Sequence, residues 1–401
     1  MRHGKWMLLL LCLVLGIAVQ AQETSTPKRI VGYFTSWAIY GREYFVNEIP
    51  ADKLTHINYA FANVSKDGEC LIGDSWADVE IAFEGDAEDA PFKGNFNQLK
   101  LLKEKNPNLK TLISVGGWTW SRLFSDVALT EESRDKFAAS CVKFMKDYGF
   151  DGIDVDWEYP TGAGDPTNHE TPEDPENFIL LMAEMRAQLD TAGEADGTHY
   201  LLTIAASSNA KGIDWARVHP SLDWINVMAY DFSGGWSAVT GFNAPLFAST
   251  DTPPEGGSAD ASLQAYLEAG VPADKLVLGM PFYGKGWKGV AKDENGLHQA
   301  PEAVSDEGTW EPGFFDYGDV IENYLPTMTR YWDENARVPW LYNEETGLMI
   351  TYDDVESITE KAKYVNENGF GGVMFWEVSA DTDDSLLLSA LWDALIGETA
   401  K

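Results

Sequence analysis

The chain has 401 residues and a formal net charge of −35 at pH 7, from 64 acidic and 29 basic residues. A surface this acidic repels nucleic acid and anionic membranes, and it is compatible with a neutral polymeric substrate. The length exceeds that of one small domain and fits a barrel of about 250 residues or more with insertions. We therefore expect no nucleic-acid or membrane partner, and we also predict a monomer.

The first 21 residues are typical of a secretory signal peptide. Two basic residues, Arg2 and Lys5, precede an apolar run over residues 7–19, and a cleavage site fits near Ala21. The apolar run is short for a transmembrane anchor, and no basic stop-transfer cluster follows it. We therefore predict a secreted protein, either extracellular or periplasmic.

Eight short apolar runs recur along the rest of the chain, and segments with helical spacing lie between most of them. The runs are predicted to be strands over residues 29–37, 54–64, 110–118, 149–159, 200–208, 222–232, 276–284 and 370–378. The helical patterns include residues 178–189, 259–269 and 355–366. This alternation predicts an α/β fold, a (β/α)8 TIM barrel, rather than an open sheet.

Two connections are too long for simple loops. The first, residues 65–95, is acidic and is predicted to be a surface excursion before a helix. The second separates the seventh and eighth strands, and its residues 285–346 are rich in Trp, Tyr, Phe and Gly. We predict a small α+β insertion there, which interrupts a catalytic domain over residues 27–398 and walls one side of a cleft.

The fourth run contains a row of acidic residues inside an apolar and aromatic segment. Side chains alternate along a strand, so Asp154, Asp156 and Glu158 are predicted to share one face. Carboxylates this close cannot all ionise freely, so at least one should titrate high, as a general acid near neutral pH requires. A solvated strand end or a cation site is the alternative, but the flanking Ile, Val and Trp residues are unlike an ion-binding loop.

The spacing D-x-x-D-x-D-x-E, formed by Asp151, Asp154, Asp156 and Glu158, resembles the signature of the family 18 glycoside hydrolases, the chitinases and their relatives. Members have the same barrel, and many carry an α+β insertion between strands seven and eight. The resemblance implies that Glu158 is the general acid, that the N-acetyl group of the substrate attacks the anomeric carbon, and that configuration is retained. Asp156 would orient the acetamido group, Asp154 would share a proton with Asp156, and Asp151 is expected to be structural.

Two further elements resemble those of the same family. The Met-x-Tyr-Asp element of the sixth run implies that Tyr230 donates a hydrogen bond to the acetamido oxygen. It also makes Met228 and Asp231 candidates for substrate contacts, although a core aromatic residue followed by a turn aspartate would give the same pattern. The Ser-x-Gly-Gly element of the third run implies that Ser114 supports the carboxylates by a hydrogen bond, with a plain tight turn as the alternative.

Aromatic side chains are expected to bind the sugar, because their faces stack on the apolar face of a pyranose ring. Trp376, on the eighth run, is the predicted floor of the pocket; Trp118, Tyr33 and Tyr283 are further substrate-binding candidates. Lys285 stands where related enzymes often carry arginine, which weakens the case for a bidentate sugar contact there. Additional loop candidates, each equally compatible with the core, are Trp37, Trp120, Trp236 and Trp287.

No cofactor or metal is expected, because the histidines form no H-x-x-x-H pair and no cysteine cluster exists. The acidic residues 381–385 fit either a calcium loop or the capped start of the last helix. Cys70 and Cys141 are too few for a disulfide scaffold, and the sequence leaves open whether they pair.

The sequence thus predicts a chitinase that acts on chitin or chitooligosaccharides. One alternative is an endo-β-N-acetylglucosaminidase acting on glycans, and another is a non-catalytic chitin-binding lectin of the same fold. The large insertion implies a deep cleft and favours chitin, and the presence of Glu158 argues against a lectin. The mode of attack, endo or exo, is left open, as are its direction and processivity.

Overall fold

The computed structural model describes residues 27–249 and 257–397. The predicted signal peptide, residues 1–21, and the predicted end of the catalytic domain at residue 398 lie outside these ranges. Within the described ranges, no helix combines the length and the apolarity that crossing a bilayer requires.

The described strands and helices alternate along the chain. The strands are β1 (Arg29–Thr35), β2 (His56–Val64), β3 (Cys70–Leu71), β4 (Lys110–Gly116), β5 (Gly152–Asp156), β6 (Leu201–Ser207), β7 (Trp224–Met228), β8 (Leu276–Pro281), β9 (Tyr283–Lys288), β10 (Ala303–Val304), β11 (Phe314–Asp316), β12 (Thr329–Asp333), β13 (Val338–Asn343), β14 (Leu348–Thr351) and β15 (Gly372–Trp376). The α-helices are α1 (Gly94–Lys105), α2 (Phe124–Ala128), α3 (Glu131–Tyr148), α4 (Asp174–Asp196), α5 (Trp215–Val218), α6 (Ala259–Glu268), α7 (Tyr317–Asp319), α8 (Val355–Glu367) and α9 (Leu386–Trp392).

Eight parallel strands close into a barrel in the order β1, β15, β8, β7, β6, β5, β4, β2, and β2 pairs again with β1. The predicted (β/α)8 TIM barrel is therefore confirmed, and each of the eight predicted runs contains one of these strands. Several strands end earlier than predicted. β5 stops at Asp156 and β7 at Met228, so the last residues of both runs leave the sheet and enter the mouth of the barrel.

Helix α3 illustrates how the sequence sets the alternation. The hydroxyl of Thr130 caps its first turn by accepting a hydrogen bond from the Ser133 backbone N–H at 3.1 Å. Gly149 ends the helix in the left-handed conformation, with φ of 76°, and β5 begins three residues later. The buried face of α3 is made of Phe137, Ala138, Cys141, Phe144 and Met145. These contacts fix where the acidic strand enters the barrel.

The amino end of the barrel is filled by apolar side chains. Inward-facing residues from five strands pack together there, namely Val31, Leu112, Trp224, Val277 and Met374. Because this end is filled, open space for a ligand is found at the carboxyl ends of the strands, as is usual for this fold.

Asp151 lies at the amino end of the barrel, away from that open space. Its carboxylate accepts hydrogen bonds from Lys103 Nζ at 2.8 Å, Lys110 Nζ at 3.3 Å and the Thr111 backbone N–H at 2.9 Å. These contacts tie the start of β4 and helix α1 to the residue that precedes β5. The structural role of Asp151 stays a prediction, and these contacts support it.

Between β8 and β15 the chain forms a second, antiparallel sheet in the order β10, β9, β14, β13, β12, with β11 paired to β9. Its strands run from Tyr283 to Thr351, so the sheet extends beyond the predicted boundaries at residues 285 and 346. Trp287 is only 1% exposed in the core of this sheet. Of the two alternatives left open for Trp287, the core one therefore applies, because its side chain faces inward from β9.

Two alternatives left open by the sequence are now decided. Cys70 and Cys141 are free thiols in the structure, with Cys141 buried and Cys70 partly exposed. The carboxylate of Asp381 accepts hydrogen bonds from the backbone N–H groups of Leu387 and Leu388, at 3.1 and 3.0 Å. Residues 381–385 thus form the capped start of α9.

Candidate active site

A cavity of about 770 Å³ opens at the carboxyl ends of the barrel strands, beside the antiparallel sheet. All the predicted site residues except Asp154 and Ser114 line it: Tyr33, Trp118, Asp156, Glu158, Met228, Tyr230, Asp231, Tyr283 and Trp376. The structure therefore brings together residues that are up to about 340 positions apart in the chain, as the barrel topology requires.

Asp154 lies beneath the cavity and is fully buried. Its Oδ2 accepts hydrogen bonds from the Tyr33 hydroxyl at 2.6 Å and the Ser114 hydroxyl at 2.8 Å. Its Oδ1 accepts from Thr203 Oγ1 at 2.5 Å and Asn226 Nδ2 at 3.2 Å. Burial raises the pKa of Asp154, and these hydrogen bonds lower it. The net pKa of Asp154 is raised, and the four neutral donors limit the rise because hydrogen bonds to a carboxylate favour its charged form.

Asp156 has a different environment from Asp154, although both belong to β5. Its Oδ1 is buried and has no hydrogen-bond partner among the described residues. Burial raises the pKa of Asp156 well above its usual range, and the charges of Glu158 and Asp154 raise it further. The pKa of both aspartates is therefore raised, and the rise at Asp156 is not limited by donors like those of Asp154. A proton shared between them stays a prediction, because the hydrogen bonds to Asp154 come from the four neutral donors.

Glu158 lies two residues beyond the end of β5, at the mouth of the barrel. Its backbone N–H donates to the Ser121 hydroxyl at 2.8 Å, and its carbonyl accepts from Asn168 Nδ2 at 2.8 Å. Burial raises the pKa of Glu158 to about 7; a hydrogen bond with Tyr159 opposes the rise and the charge of Asp231 adds to it. A carboxyl group with this pKa can hold a proton near neutral pH and release it to a leaving group.

The Ser-x-Gly-Gly element brings the end of β4 against the end of β5. Gly116 and Gly117 have φ angles of 112° and 79°, which residues with a side chain rarely adopt. A Cβ atom on Gly116 would lie 2.3 Å from the carbonyl oxygen of Asp156, so only glycine allows this approach. The Ser121 hydroxyl, which donates to the carbonyl of Gly117 at 2.9 Å, then reaches the backbone of Glu158.

The residues after β7 form the opposite side of the cavity. Asp231 accepts a hydrogen bond from the Tyr283 hydroxyl at 2.9 Å and pairs with Lys285 Nζ at 3.3 Å. Tyr230 meets the Tyr283 ring edge-on at 6.2 Å, and Met228 lines the cavity beneath. Burial raises the pKa of Tyr230 well above its usual range, as do the charges of the nearby acids. Its phenol is therefore protonated and able to donate a hydrogen bond.

Aromatic rings form the floor and the rim of the cavity. Trp376 stacks on Phe61, with ring centroids 5.7 Å apart and an interplanar angle of 17°. Trp37 and Trp118 also line the cavity and are 40% and 48% exposed, which leaves ring faces available to a ligand. Trp120 lines it as well, whereas Trp236, 65% exposed, has Lys285 Nζ 5.5 Å from its ring.

Several residues of this site were not predicted. Thr203 and Asn226 complete the support of Asp154, and both are polar residues in the middle of apolar strands, which is a signal that the sequence does contain. Phe61 under Trp376 has no such signal, because an aromatic residue in an apolar strand is ordinarily core. Glu311 and Phe314 reach the cavity from the antiparallel sheet, and their placement depends on its folding.

The effect of the Asp231 charge on the pKa of Glu158 leads to a prediction for Asp231→Asn. The charge of Asp231 raises the pKa of Glu158, so its removal lowers that pKa. A general acid must be protonated, so activity is lost as pH rises through its pKa. We therefore expect the alkaline limb of the kcat/KM profile, centred near pH 7 in the wild type, to move to lower pH.

A pH–rate profile of Asp231→Asn measures this shift. Asp306→Asn is the matched control, because Asp306 is an exposed carboxylate that pairs with Lys288 on the surface. An alkaline limb that stays in place, or moves to higher pH, in Asp231→Asn would contradict the role of this charge.

The barrel and its cavity define a class of protein. Neighbouring carboxylates with raised pKa values stand at the carboxyl end of a TIM barrel, over a floor of stacked aromatic rings. Carboxylates supply the acid–base chemistry of glycosidic bond cleavage, and aromatic faces hold sugar rings. These features are those of a glycoside hydrolase.

Comparison with known proteins identifies the family. The model for glycosyl hydrolases family 18 matches residues 29–381. Chitinase A1 from Niallia circulans is 44% identical over 94% of this chain, which spans 60% of the length of that relative. The protein therefore belongs to glycosyl hydrolases family 18.

Solved structures agree with this assignment. Chitinase ChiA74 from Bacillus thuringiensis is 42% identical, with a TM-score of 0.87 over 92% of this chain and 70% of that one. A family 18 N-acetylglucosaminidase from Paenibacillus barengoltzii is 35% identical, with a TM-score of 0.78 over 92% of this chain and 100% of that one. The family thus contains relatives of this chain whose names carry two different activities.

Proposed function

We propose that the protein is a secreted chitinase that hydrolyses β-1,4 bonds between N-acetylglucosamine units of chitin or chitooligosaccharides. The observation that carries the proposal is the convergence of Glu158, Asp156 and Tyr230 on one cavity above Trp376. Secretion is supported by the basic and apolar character of residues 1–21. The names of the relatives support the substrate, since the relatives that are 44% and 42% identical to this chain are both named chitinases.

In the proposed mechanism, the sugar at the scissile bond lies on Trp376. Glu158 transfers its proton to the leaving oxygen while the acetamido carbonyl oxygen of the same sugar attacks the anomeric carbon, which gives an oxazolinium-like ring. The reactive form of Asp156 is the ionised one: it accepts a hydrogen bond from the acetamido N–H, and its negative charge stabilises the cation as it forms. Tyr230 donates its hydroxyl proton to the acetamido oxygen in a hydrogen bond and so orients the attack. Glu158, now ionised, removes a proton from the water that opens the ring, and the configuration is retained.

The charges in the site are consistent with these reaction steps. Four donors to Asp154 favour its charged form beneath Asp156, and a negative charge there favours the cation that develops above. Exclusion of water from the cavity raises the pKa of Glu158. It also strengthens the contact of a sugar ring with the hydrophobic floor. A sugar that fills the cavity strengthens both effects.

Two other functions are consistent with the fold. An endo-β-N-acetylglucosaminidase acting on glycans would use the same carboxylates, and the P. barengoltzii relative carries a related name. A chitin-binding lectin would keep the aromatic floor without turnover. A chitinase is favoured over the endo-β-N-acetylglucosaminidase because the antiparallel sheet deepens the cavity on one side. It is favoured over the lectin because Glu158 has the raised pKa of a general acid.

A time course of products from the N-acetylglucosamine hexamer, followed by mass spectrometry and NMR, tests the proposal. We expect shorter acetylated oligomers that are released initially as β anomers. The glucosamine hexamer, which has no acetamido group, should be cleaved at less than about 1% of that rate because it lacks the internal nucleophile. Equal cleavage of both hexamers would contradict substrate assistance. Binding without cleavage would favour the lectin, and cleavage of an N-glycan alone would favour the endo-β-N-acetylglucosaminidase.

A further inference from the structure

An ion-pair cluster outside the catalytic carboxylates joins three parts of the molecule. Arg42 follows β1, and its side chain is 12% exposed. Its guanidinium pairs with Asp316 of β11, where Nη2 lies 3.4 Å from Oδ1 and Nη1 contacts Oδ2. Nη1 also lies 3.3 Å from Oε1 of Glu377, the residue after β15. One cation thus bridges the barrel and the antiparallel sheet.

The two carboxylates are closely held. The side chains of Asp316 and Glu377 are 8% and 3% exposed. Asp316 also accepts a hydrogen bond from Trp310 Nε1 at 2.7 Å, and Glu377 accepts one from the Ser379 hydroxyl at 2.7 Å. Two buried carboxylates around one guanidinium depend on that cation, because without it they would repel each other at low dielectric.

The orientation of the guanidinium is fixed by an aromatic ring in addition to the two carboxylates. It lies 4.9 Å from the centroid of the Trp310 ring, over its face. The planar fork of arginine can serve two carboxylates and one ring face together, whereas an ammonium group is a single point charge. The cluster therefore fixes the relative positions of the elements that it joins, in addition to neutralising them.

Each of these elements carries a residue of the cavity near its contact with Arg42. Trp37 lies five positions before Arg42, Phe314 lies two positions before Asp316, and Trp376 directly precedes Glu377. Phe314 belongs to the wall that the antiparallel sheet adds, and Trp376 is the floor. The distance between wall and floor is thus set within a few residues of the cluster.

We propose that Arg42 is a positioning residue that fixes the antiparallel wall relative to the Trp376 floor, and that it thereby determines how tightly long oligosaccharides are bound. The inference rests on the proposed function for the identity of the ligand. A disaccharide that is held by the floor depends little on the wall. A hexamer, which extends past the floor along the wall, loses contacts when the two surfaces separate.

The experiment compares binding of the N-acetylglucosamine hexamer and dimer by calorimetry in a Glu158→Gln background, which does not depend on turnover. Arg42→Lys keeps a positive charge between the carboxylates but removes the fork, so it preserves the fold while testing the geometry. Arg42→Gln removes both. We expect the hexamer Kd to rise about 3-fold or more in Arg42→Lys and 10-fold or more in Arg42→Gln, with the dimer Kd changed less than 2-fold.

Lys292→Gln is the matched control, because Lys292 pairs with Glu344 on the exposed surface of the same antiparallel sheet, at 3.1 Å. It should change neither Kd. In the otherwise wild-type enzyme, Arg42→Lys should raise KM for the hexamer while kcat and the pH of its alkaline limb stay unchanged.

Two results would overturn the proposal. One is a hexamer Kd in Arg42→Lys that equals that of the Glu158→Gln parent; the other is an equal loss of hexamer and dimer binding, which a merely structural role would produce. If Arg42→Gln does not fold, Arg42→Lys alone decides. If the Glu158→Gln parent binds neither ligand, the proposed function fails, and that outcome is distinct because it appears before Arg42 is changed.

Discussion

Glu158→Gln is expected to lower kcat for the N-acetylglucosamine hexamer by about 10³-fold or more, within the range that general acid catalysis contributes. The amide has nearly the same size and can still donate a hydrogen bond, but it cannot release a proton to the leaving oxygen. The hexamer Kd should change by less than about 3-fold, because the contacts of the aromatic floor are retained.

Comparison of two substrates with different leaving groups distinguishes loss of the general acid from general damage to the site. A nitrophenolate departs without being protonated, so Glu158→Gln should lose far less activity on a nitrophenyl chitobioside than on the hexamer. Glu356→Gln is the matched control, because Glu356 pairs with Arg330 on the surface and should behave as the wild type. Turnover of the hexamer by Glu158→Gln within 10-fold of the wild type would exclude Glu158 as the acid.

Asp156→Asn is expected to lower kcat by about 10²- to 10³-fold, the loss typical of removing one group that stabilises charge in the transition state. The asparagine oxygen can still accept the acetamido N–H. It cannot supply the negative charge that the oxazolinium-like cation requires, and KM should therefore change little.

The same nitrophenyl substrate distinguishes the two variants. A better leaving group does not supply charge to the cation, so the loss in Asp156→Asn should be nearly equal for the nitrophenyl chitobioside and for the hexamer. Steady-state kinetics with both substrates provide the measurement. A recovery like that of Glu158→Gln would show that Asp156 acts on the leaving group instead of on the acetamido group.

The alternation of side chains along one strand was enough to predict which face the acidic residues of the fourth run occupy. It placed Asp154 and Asp156 on the inner face of the barrel, and their contacts are on that face. It could not show that β5 ends at Asp156, because the apolar run continues through Trp157 and Tyr159. Glu158 therefore lies beyond the sheet, where the local backbone and not the pleat determines its direction.

The side-chain contacts between neighbouring strands could not be predicted from the sequence. The partners of Asp154 depend on the register of β5 with β4 and β6, which pairs Asp154 with Ser114 and Thr203. Register depends on how the buried faces of two strands match each other, and the pattern of one strand alone does not define it. The sequence left Trp287 open between the core and a loop for a related reason, because the face of β9 on which it lies is defined only by the antiparallel sheet that it helps to fill.

The hydrogen bonds that Asp154 receives limit how this chemistry could be transplanted. They come from β1, β4, β6 and β7, so half the strands of the barrel contribute to the state of one carboxylate. Grafting the D-x-D-x-E segment alone into another barrel would leave its first aspartate without donors, and that aspartate would take up a proton in the dry interior. A designed enzyme of this type needs Tyr33, Ser114, Thr203 and Asn226, or equivalents, at matching depth before the acid above them can function.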